Sequence, residues 1–225
     1  YLPDRLERKL VTELAGSVAD SAHESLARSG FRRSHSIAYA PACPGCNACV
    51  PVRVAAADFK KRRSLARIWR QNNDLVAIKV PARASTEQYE LFARYQQTRH
   101  AGSDMALMGF YEYSAMIEDS PIDTFLVEYR DRTGTLCAVC LTDRTSDGLS
   151  AVYSFFETGG TRDGLGNYIV LWLIEQAQRL NLPYVYLGYW IENSPKMAYK
   201  ARFQPLEHLH ENRWEKFTPK TNLQD

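Results

Sequence analysis

The stretch Leu187-Gly188-Tyr189-Trp190-Ile191, continuing through Ser194-Pro195-Lys196-Met197-Ala198-Tyr199-Lys200, gathers more potential chemistry than any other part of the sequence. Its aromatic residues can bury apolar area and still present a hydroxyl or indole donor. Lys196 and Lys200 stand four apart and share a face if the segment is helical, where two cations would suit an acidic group. The plainer alternative is a core strand followed by a solvated helix.

The turn Gly159-Gly160-Thr161-Arg162-Asp163-Gly164-Leu165-Gly166 lies between a predicted strand and a predicted helix, so its free backbone amides can meet an anion or a carbonyl oxygen. It distantly resembles the acyl-CoA loop of the GNAT acyltransferases, but Arg162 has one residue before Gly164 where that pattern has two. A flexible strand-to-helix turn calls for the same glycines. Cys43, Cys46 and Cys49 have the spacing of thiolate ligands to zinc or an iron–sulfur cluster, one short of the usual four. Reduced thiols packing a loop fit that pattern equally well. Between Lys60 and Arg70 stand six cations, Lys60, Lys61, Arg62, Arg63, Arg67 and Arg70, with no acid among them. Such a run lacks the ion pairs of an ordinary solvated helix face and suits a phosphate backbone, with Trp69 able to stack on a single-stranded end. No Ser-His-Asp spacing, paired-carboxylate motif or Walker-type loop is present.

These residues need elements to hold them. Leu6, Leu10, Leu14, Val18 and Ala22 at spacing four predict an opening helical region between Asp4 and Gly30. Val50, Val52 and Val54 alternate as one face of a strand. Ser85 or Thr86 caps a helix after Val80-Pro81-Ala82, and a boundary is expected there, between residues 1–80 and 81–225. Beyond it, residues 125–128, 136–143, 149–157 and 183–190 read as strands, with an apolar helix over about 166–180 between the last two. Strand, loop, helix, strand is the grammar of an α/β (α+β) fold.

Composition narrows the class. A chain of 225 residues that is 45% hydrophobic can bury one large core or two small ones, which excludes a largely disordered protein. No apolar run of about eighteen residues occurs and Tyr1-Leu2-Pro3-Asp4-Arg5 does not start like a signal peptide, so the expectation is a cytoplasmic protein with no membrane partner. Five cysteines, an odd number, favour a reducing compartment over a disulfide framework. A net charge of +2 excludes a general polyanion binder and directs attention to the local basic run.

Taken together, Gly30-Phe31-Arg32-Arg33-Ser34, Tyr39-Ala40-Pro41-Ala42-Cys43 with Cys46 and Cys49, Val52-Arg53-Val54, Arg70-Gln71-Asn72-Asn73-Asp74-Leu75 and the Leu187 to Lys200 stretch resemble the bacterial aminoacyl-tRNA-protein transferases, the aspartate/glutamate leucyltransferases related to arginyl-tRNA-protein transferase. The resemblance covers nearly the whole chain. It implies a GNAT-like acyltransferase domain (81–225) that takes an aminoacyl-tRNA in place of acyl-CoA, preceded by a smaller cysteine-containing region (1–80). The implied reaction moves leucine from leucyl-tRNA to the N-terminal amine of proteins beginning with Asp or Glu, marking them for degradation, with no cofactor required. In the eukaryotic relatives the cysteines of this region are associated with an iron–sulfur cluster, which stands beside the zinc or iron–sulfur reading of the Cys43, Cys46 and Cys49 spacing. Tyr189, Tyr199 and the backbone at Gly188 are the implied donors to the reacting centre, and Asp74 is a candidate to hold a free ammonium. Arg32, Arg33, Arg53, Lys196 and Lys200 would form a cationic pocket for the acidic acceptor beside Trp190, and the basic run would hold the tRNA. Three other readings fit fewer residues: an arginyl donor, an acyl-CoA-dependent GNAT enzyme, and a zinc-dependent nucleic-acid-binding module.

Overall fold

Alternating apolar residues build most of this molecule. The computed structural model describes residues 7–160, 162–192 and 194–218. A small sheet is made of β1 (Lys9–Glu13), β2 (Arg32–Ser34) and β3 (Ile37–Pro41), in the order β1-β3-β2. The large sheet takes β4 (Val50–Ala55), β5 (Val76–Pro81), β6 (Thr124–Arg130), β7 (Leu136–Thr145), β8 (Gly148–Phe156), β9 (Tyr184–Trp190), β10 (Leu206–His210) and β11 (Arg213–Phe217). Its order is β11-β10-β4-β9-β8-β7-β6-β5, and only β8 and β9 pair in parallel, with α5 (Leu165–Arg179) on the connection between them.

The period of two along a strand sorts side chains to opposite faces. Phe125, Val127 and Tyr129 of β6 join a core with α5 and with Leu65 of α2 (Arg63–Asn72), whereas Leu126 packs on the other face with α3 (Thr86–Arg99) and α4 (Phe110–Glu118). The expected cap is present: Ser85 accepts from the Gln88 amide while the Gln88 side chain accepts from the Ser85 amide, a capping box that starts α3. Val50, Val52 and Val54 face the α5 core together, as their spacing predicted.

Two expectations need correction. The opening segment is not one helix: Leu10 lies in the exposed strand β1, and α1 begins only at Ala19, while Leu6 lies outside the described residues. Gly16, at φ +67, turns the chain between them, and the spacing of four seen in the sequence runs across that turn. Nor is residue 80 an edge of the architecture. Strand β4 sits between β10 and β9, and β5 closes the far side of the same sheet, so backbone hydrogen bonds cross the expected boundary. What stands apart is residues 9–41, the small sheet with α1 (Ala19–Arg28).

A buried ion pair fastens that small sheet to the large one. Arg33 of β2 donates from Nε and Nη2 to both carboxylate oxygens of Asp143 on β7, at 2.8 and 2.7 Å, and both side chains are fully enclosed. Thr124 supplies a further hydroxyl donor to Asp143 at 2.8 Å, and Arg28 reaches Asp147 at 2.9 Å. Removing one member of a buried pair leaves the other charged and unpartnered. Arg33→Met is therefore expected to destabilise the fold by about 3–5 kcal/mol, and Arg33→Met with Asp143→Leu to recover most of the loss, both measured as urea midpoints.

Candidate active site

Parallel β8 and β9 pair only at Gly148 with Tyr184, Leu149 with Val185, and Ser150 with Tyr186. Beyond Ser150 the two strands diverge, β8 running on to Phe156 and β9 staying with β4 as far as Trp190. A splay between parallel strands exposes backbone carbonyls that need donors. Arg32 of β2 fills this one: its Nη1 donates to Ser150 Oγ at 3.1 Å and its Nη2 to the carbonyls of Ala151 and Val152. On the β9 side, Lys200 donates from Nζ to the Tyr189 carbonyl.

Between these two cations lies Gly188, in the left-handed region at φ +74. A Cβ there would come within 2.8 Å of Arg32 Nε and 2.9 Å of its Cζ, so the glycine is what lets the guanidinium lie flat on β9. Lys200 is buried, and burial, with the Arg32 charge adding to it, pushes its ammonium down to about 7. Tyr189 donates its hydroxyl to the carbonyls of Gly30 at 3.0 Å and Tyr39 at 3.1 Å, tying β9 to the small sheet; burial first, then Tyr39, pushes its phenol well up. Tyr199 packs edge-on against Phe203, and Trp190 is buried against Phe217, its indole N–H without a partner among the described residues.

The remaining sequence candidates are dispersed. Arg33 is consumed by Asp143, and Arg53 by Glu207 at 2.8 Å, with its guanidinium between the rings of Tyr184 and Trp214. Lys196 is exposed and meets His100 Nδ1 at 3.3 Å. It does not share Lys200's surroundings, because α6 (Pro195–Ala198) passes into a tighter 3-10 turn before Lys200. Asp74 follows the end of α2, where both its oxygens accept from Arg162 at 2.7 Å, and that bond holds its carboxyl below the usual range. Sequence reading missed Asp143, Glu207 and Ser150, the partners of three named arginines. Those pairs span 110, 154 and 118 residues, and no local pattern reports such a contact.

Helix α2 carries the basic run. Leu65 and Ile68 of the helix turn inward, Lys61 pairs with Glu175 and lies over Trp69, and Trp69 packs on Tyr168 and so is not free to stack on a base. Lys60, Arg62, Arg63, Arg67 and Arg70 are exposed, and none has an acidic partner among the described residues. Arg63, Arg67 and Arg70 follow helical spacing and form one stripe.

The cysteines sit on the loop between β3 and β4. All three are half-buried; Cys43 Sγ accepts from the Arg8 amide at 3.3 Å, and burial, helped by the neighbouring thiols, pushes the Cys49 thiol up. Among the described residues no three His, Cys, Asp or Glu side chains are arranged to hold a metal ion, so the groups described do not fit one as they stand. Cys137 and Cys140 are buried in β7.

A family model described as Arginine-tRNA-protein transferase, N terminus, matches residues 1–67, and its C-terminus counterpart matches residues 87–210. The chain belongs to this aminoacyl-tRNA-protein transferase family. An aspartate/glutamate leucyltransferase of Paramagnetospirillum magneticum is 63% identical over 219 residues, covering 97% of this chain and 90% of that protein. One from Rhodospirillum rubrum is 57% identical over 215 residues, covering 95% and 87%. Among solved structures, L-PGS from Bacillus licheniformis superposes with a TM-score of 0.51 at 12% identity, over 68% of this chain and 51% of that one. A DUF2156 C-terminal domain from Agrobacterium fabrum gives 0.52 at 14%, over 92% and 65%. At such identities the likeness concerns the fold alone, a mixed α/β architecture as expected from the sequence.

At the splay a half-buried cation, Arg32, and a buried one, Lys200, neither with an acidic partner among the described residues, meet strand edges that have ceased to pair with each other. Gly188→Ala tests its construction: the left-handed backbone costs about 1–2 kcal/mol in stability. The added methyl must also displace Arg32, so aminoacyl transfer per folded molecule is expected to fall by about tenfold or more, an effect on positioning that a urea melt alone would not reveal.

Proposed function

We propose that this chain transfers leucine from leucyl-tRNA to the N-terminal amine of proteins that begin with Asp or Glu, in the cytoplasm, and so marks them for degradation. The observation that carries this reading to the site is that Arg32 and Lys200 stand at the splay with no carboxylate on either among the described residues. The names of relatives at 63% and 57% identity support the donor and the acceptor.

The ester that joins an amino acid to the terminal adenosine of its tRNA is already activated, so no covalent nucleophile on the protein is needed. The acceptor's α-amine, with an ordinary pKa of about 8, is partly neutral at cytosolic pH. Its nitrogen attacks the ester carbonyl, the carbonyl electrons move onto oxygen, and the tetrahedral intermediate collapses with cleavage of the bond to the adenosine oxygen. The proton lost by the amine balances the proton gained by the departing hydroxyl. Backbone amides around Gly188 and the hydroxyl of Tyr199 are the groups proposed to meet the oxyanion. Tyr189 acts here as a tether, since its hydroxyl already serves Gly30 and Tyr39. Asp74 is likewise assigned to support, holding the loop before α5 through Arg162. No step is routed through a metal.

The α2 stripe is proposed to hold the tRNA. Three arginines on one face, without acids, neutralise phosphates and release counterions. Replacing Arg63, Arg67 and Arg70 together with Ala is expected to weaken leucyl-tRNA binding and to flatten the dependence of log K on log salt by about 2–3 units, read by filter binding over a salt series. The central experiment supplies labelled leucine or arginine on tRNA to peptides beginning with Asp, Glu, Arg or Ala. Leucine is expected on the Asp and Glu peptides alone. Arginine there instead would replace the donor, and no labelling from either tRNA would overturn the reading.

A further inference from the structure

A second cluster of cations, away from the α2 stripe, has no role yet. Arg99 and His100 end α3, and Lys196 lies in α6, the short turn of helix that follows β9. Lys196 Nζ is 3.3 Å from His100 Nδ1. An ammonium can only donate, so Nδ1 accepts and the neutral ring carries its proton on Nε2. Burial first, then the charges of Lys196 and Arg99, lowers the pKa of the imidazole and keeps it neutral. Arg99 and Lys196 are exposed, and neither has an acidic partner among the described residues; Glu157, just past β8, is taken by Arg94 at 3.3 Å. A cation in the last turn of a helix suits the helix dipole, which is reason enough for Arg99. It is no reason for Lys196, which comes from another element and brings a second positive charge to the same imidazole.

The polar groups this cluster has left over are all donors: the remaining ammonium hydrogens, the imidazole Nε2–H and the Arg99 guanidinium. Donors without an acceptor call for a ligand rich in oxygens and negative charge, as a phosphodiester is. Location favours a chain of phosphates over a lone anion. Gln96, one turn before His100 on α3, donates to the Tyr153 hydroxyl of β8 at 2.6 Å. Tyr95 packs against both His100 and Phe156, the last residue of β8, so the cluster stands where β8 and β9 have parted. A Cβ on Gly166, in the first turn of α5, would meet the Phe156 ring at 3.1 Å, and the turn before that helix is braced by Ile68 and Asn72 of α2. A line of packed groups thus runs from the arginine stripe to the cluster. A ligand that carries phosphates at intervals can occupy both ends of that line, and a single small anion cannot.

We propose that Arg99, His100 and Lys196 seat a phosphodiester next to the aminoacylated 3′ end of the tRNA, a contact separate from the α2 stripe. This rests on the transfer reading above. The reacting ester is borne by the terminal ribose, so the nearest phosphate is one sugar away from it. Holding that phosphate at the end of the splay limits where the ester can lie, while the stripe holds the body of the RNA. Within the seat the imidazole bonds a phosphate oxygen through Nε2–H, and Lys196 and Arg99 supply the charge.

The test uses the full chain and two probes. One is the trinucleotide CCA carrying leucine on its terminal ribose through a 3′-amide in place of the ester; the other is adenosine with the same leucyl amide and no phosphate. Fluorescence anisotropy of the 5′-labelled trinucleotide gives its Kd, and displacement gives that of the nucleoside. The trinucleotide is expected to bind about tenfold or more tighter than the nucleoside. Arg99→Gln with Lys196→Met is expected to remove most of that difference while leaving the nucleoside within about twofold. Both side chains are exposed, so the urea midpoint of this variant should stay in place. Arg213→Gln with Lys216→Gln, an equal loss of charge on β11, is expected to leave trinucleotide binding within about twofold. Equal affinity of the wild-type chain for the two probes, an undiminished preference in the Arg99→Gln and Lys196→Met variant, or an equal loss in the β11 variant overturns the seat. If the trinucleotide binds as described but no leucine passes from leucyl-tRNA to any peptide, the seat stands and the transferase reading falls. Transfer without the phosphate-dependent preference sinks the seat and spares the transferase reading.

Discussion

Everything at the site depends on one constraint: two parallel strands part after three paired residues, and their freed carbonyls must be met by donors. A neutral loop could not reach far enough from either strand. Instead β8 receives a guanidinium from a different sheet, and β9 receives an ammonium from the turn that follows it. Charged donors make strong bonds to carbonyls, and among the described residues neither Arg32 nor Lys200 has an acidic partner.

That arrangement accounts for the small sheet. Arg32 and Arg33 are adjacent on β2, and adjacent strand residues point to opposite faces. One face sends Arg33 into a buried clamp with Asp143, and the other sends Arg32 into the splay. The clamp fixes the strand, and the strand delivers the guanidinium. Tyr189 adds a third point by reaching back from β9 to the carbonyls of Gly30 and Tyr39, on either side of the same strand. A small sheet with little core of its own thus holds position by polar contacts to β7, β8 and β9. Such contacts are directional, and a shift of one residue along β2 would take Arg33 from Asp143 and Arg32 from the β8 carbonyls.

The sequence made legible what depends on local pattern. Alternation marked β6 to β9 and β4, a capping box marked α3, and the run of cations without acids marked a helix whose outer face is unpaired. The order of elements and the aromatic-to-lysine stretch after β9 were enough to indicate the family and its fold. Local pattern failed where long-range pairing decides. Nothing near Arg33 or Arg53 in sequence announces Asp143 or Glu207, so five cations looked equivalent until tertiary contacts divided them. Lys196 and Lys200 looked like one helical face because the change from α-helix to a tighter turn, which buries the second and not the first, leaves no periodic trace. The first residues misled for the opposite reason, a spacing of four that continued across the glycine turn at Gly16.

The loop before α5 shows how the same fold supports another donor. In an acyl-CoA enzyme the loop arginine must be available to a pyrophosphate, but here Arg162 gives both ends of its guanidinium to Asp74. The neighbouring contacts have the same sense: Asn72 donates to the Asp163 carbonyl, and Ile68 fills the space beside Gly164, whose φ of +74 starts the helix. Each of these partners comes from α2 or the turn after it, so the basic helix braces the described part of the loop. On the proposed reading the anion is held instead on the outer face of the helix that braces the loop, where Arg63, Arg67 and Arg70 have no acidic partner among the described residues. On the proposed reading, phosphates held on that stripe are mechanically coupled to the end of β8. Strand β8 in turn carries the carbonyls that Arg32 grips. A donor with an extended polyanionic handle can thus be positioned from the outside of the molecule, leaving the splay to recognise the small groups that react.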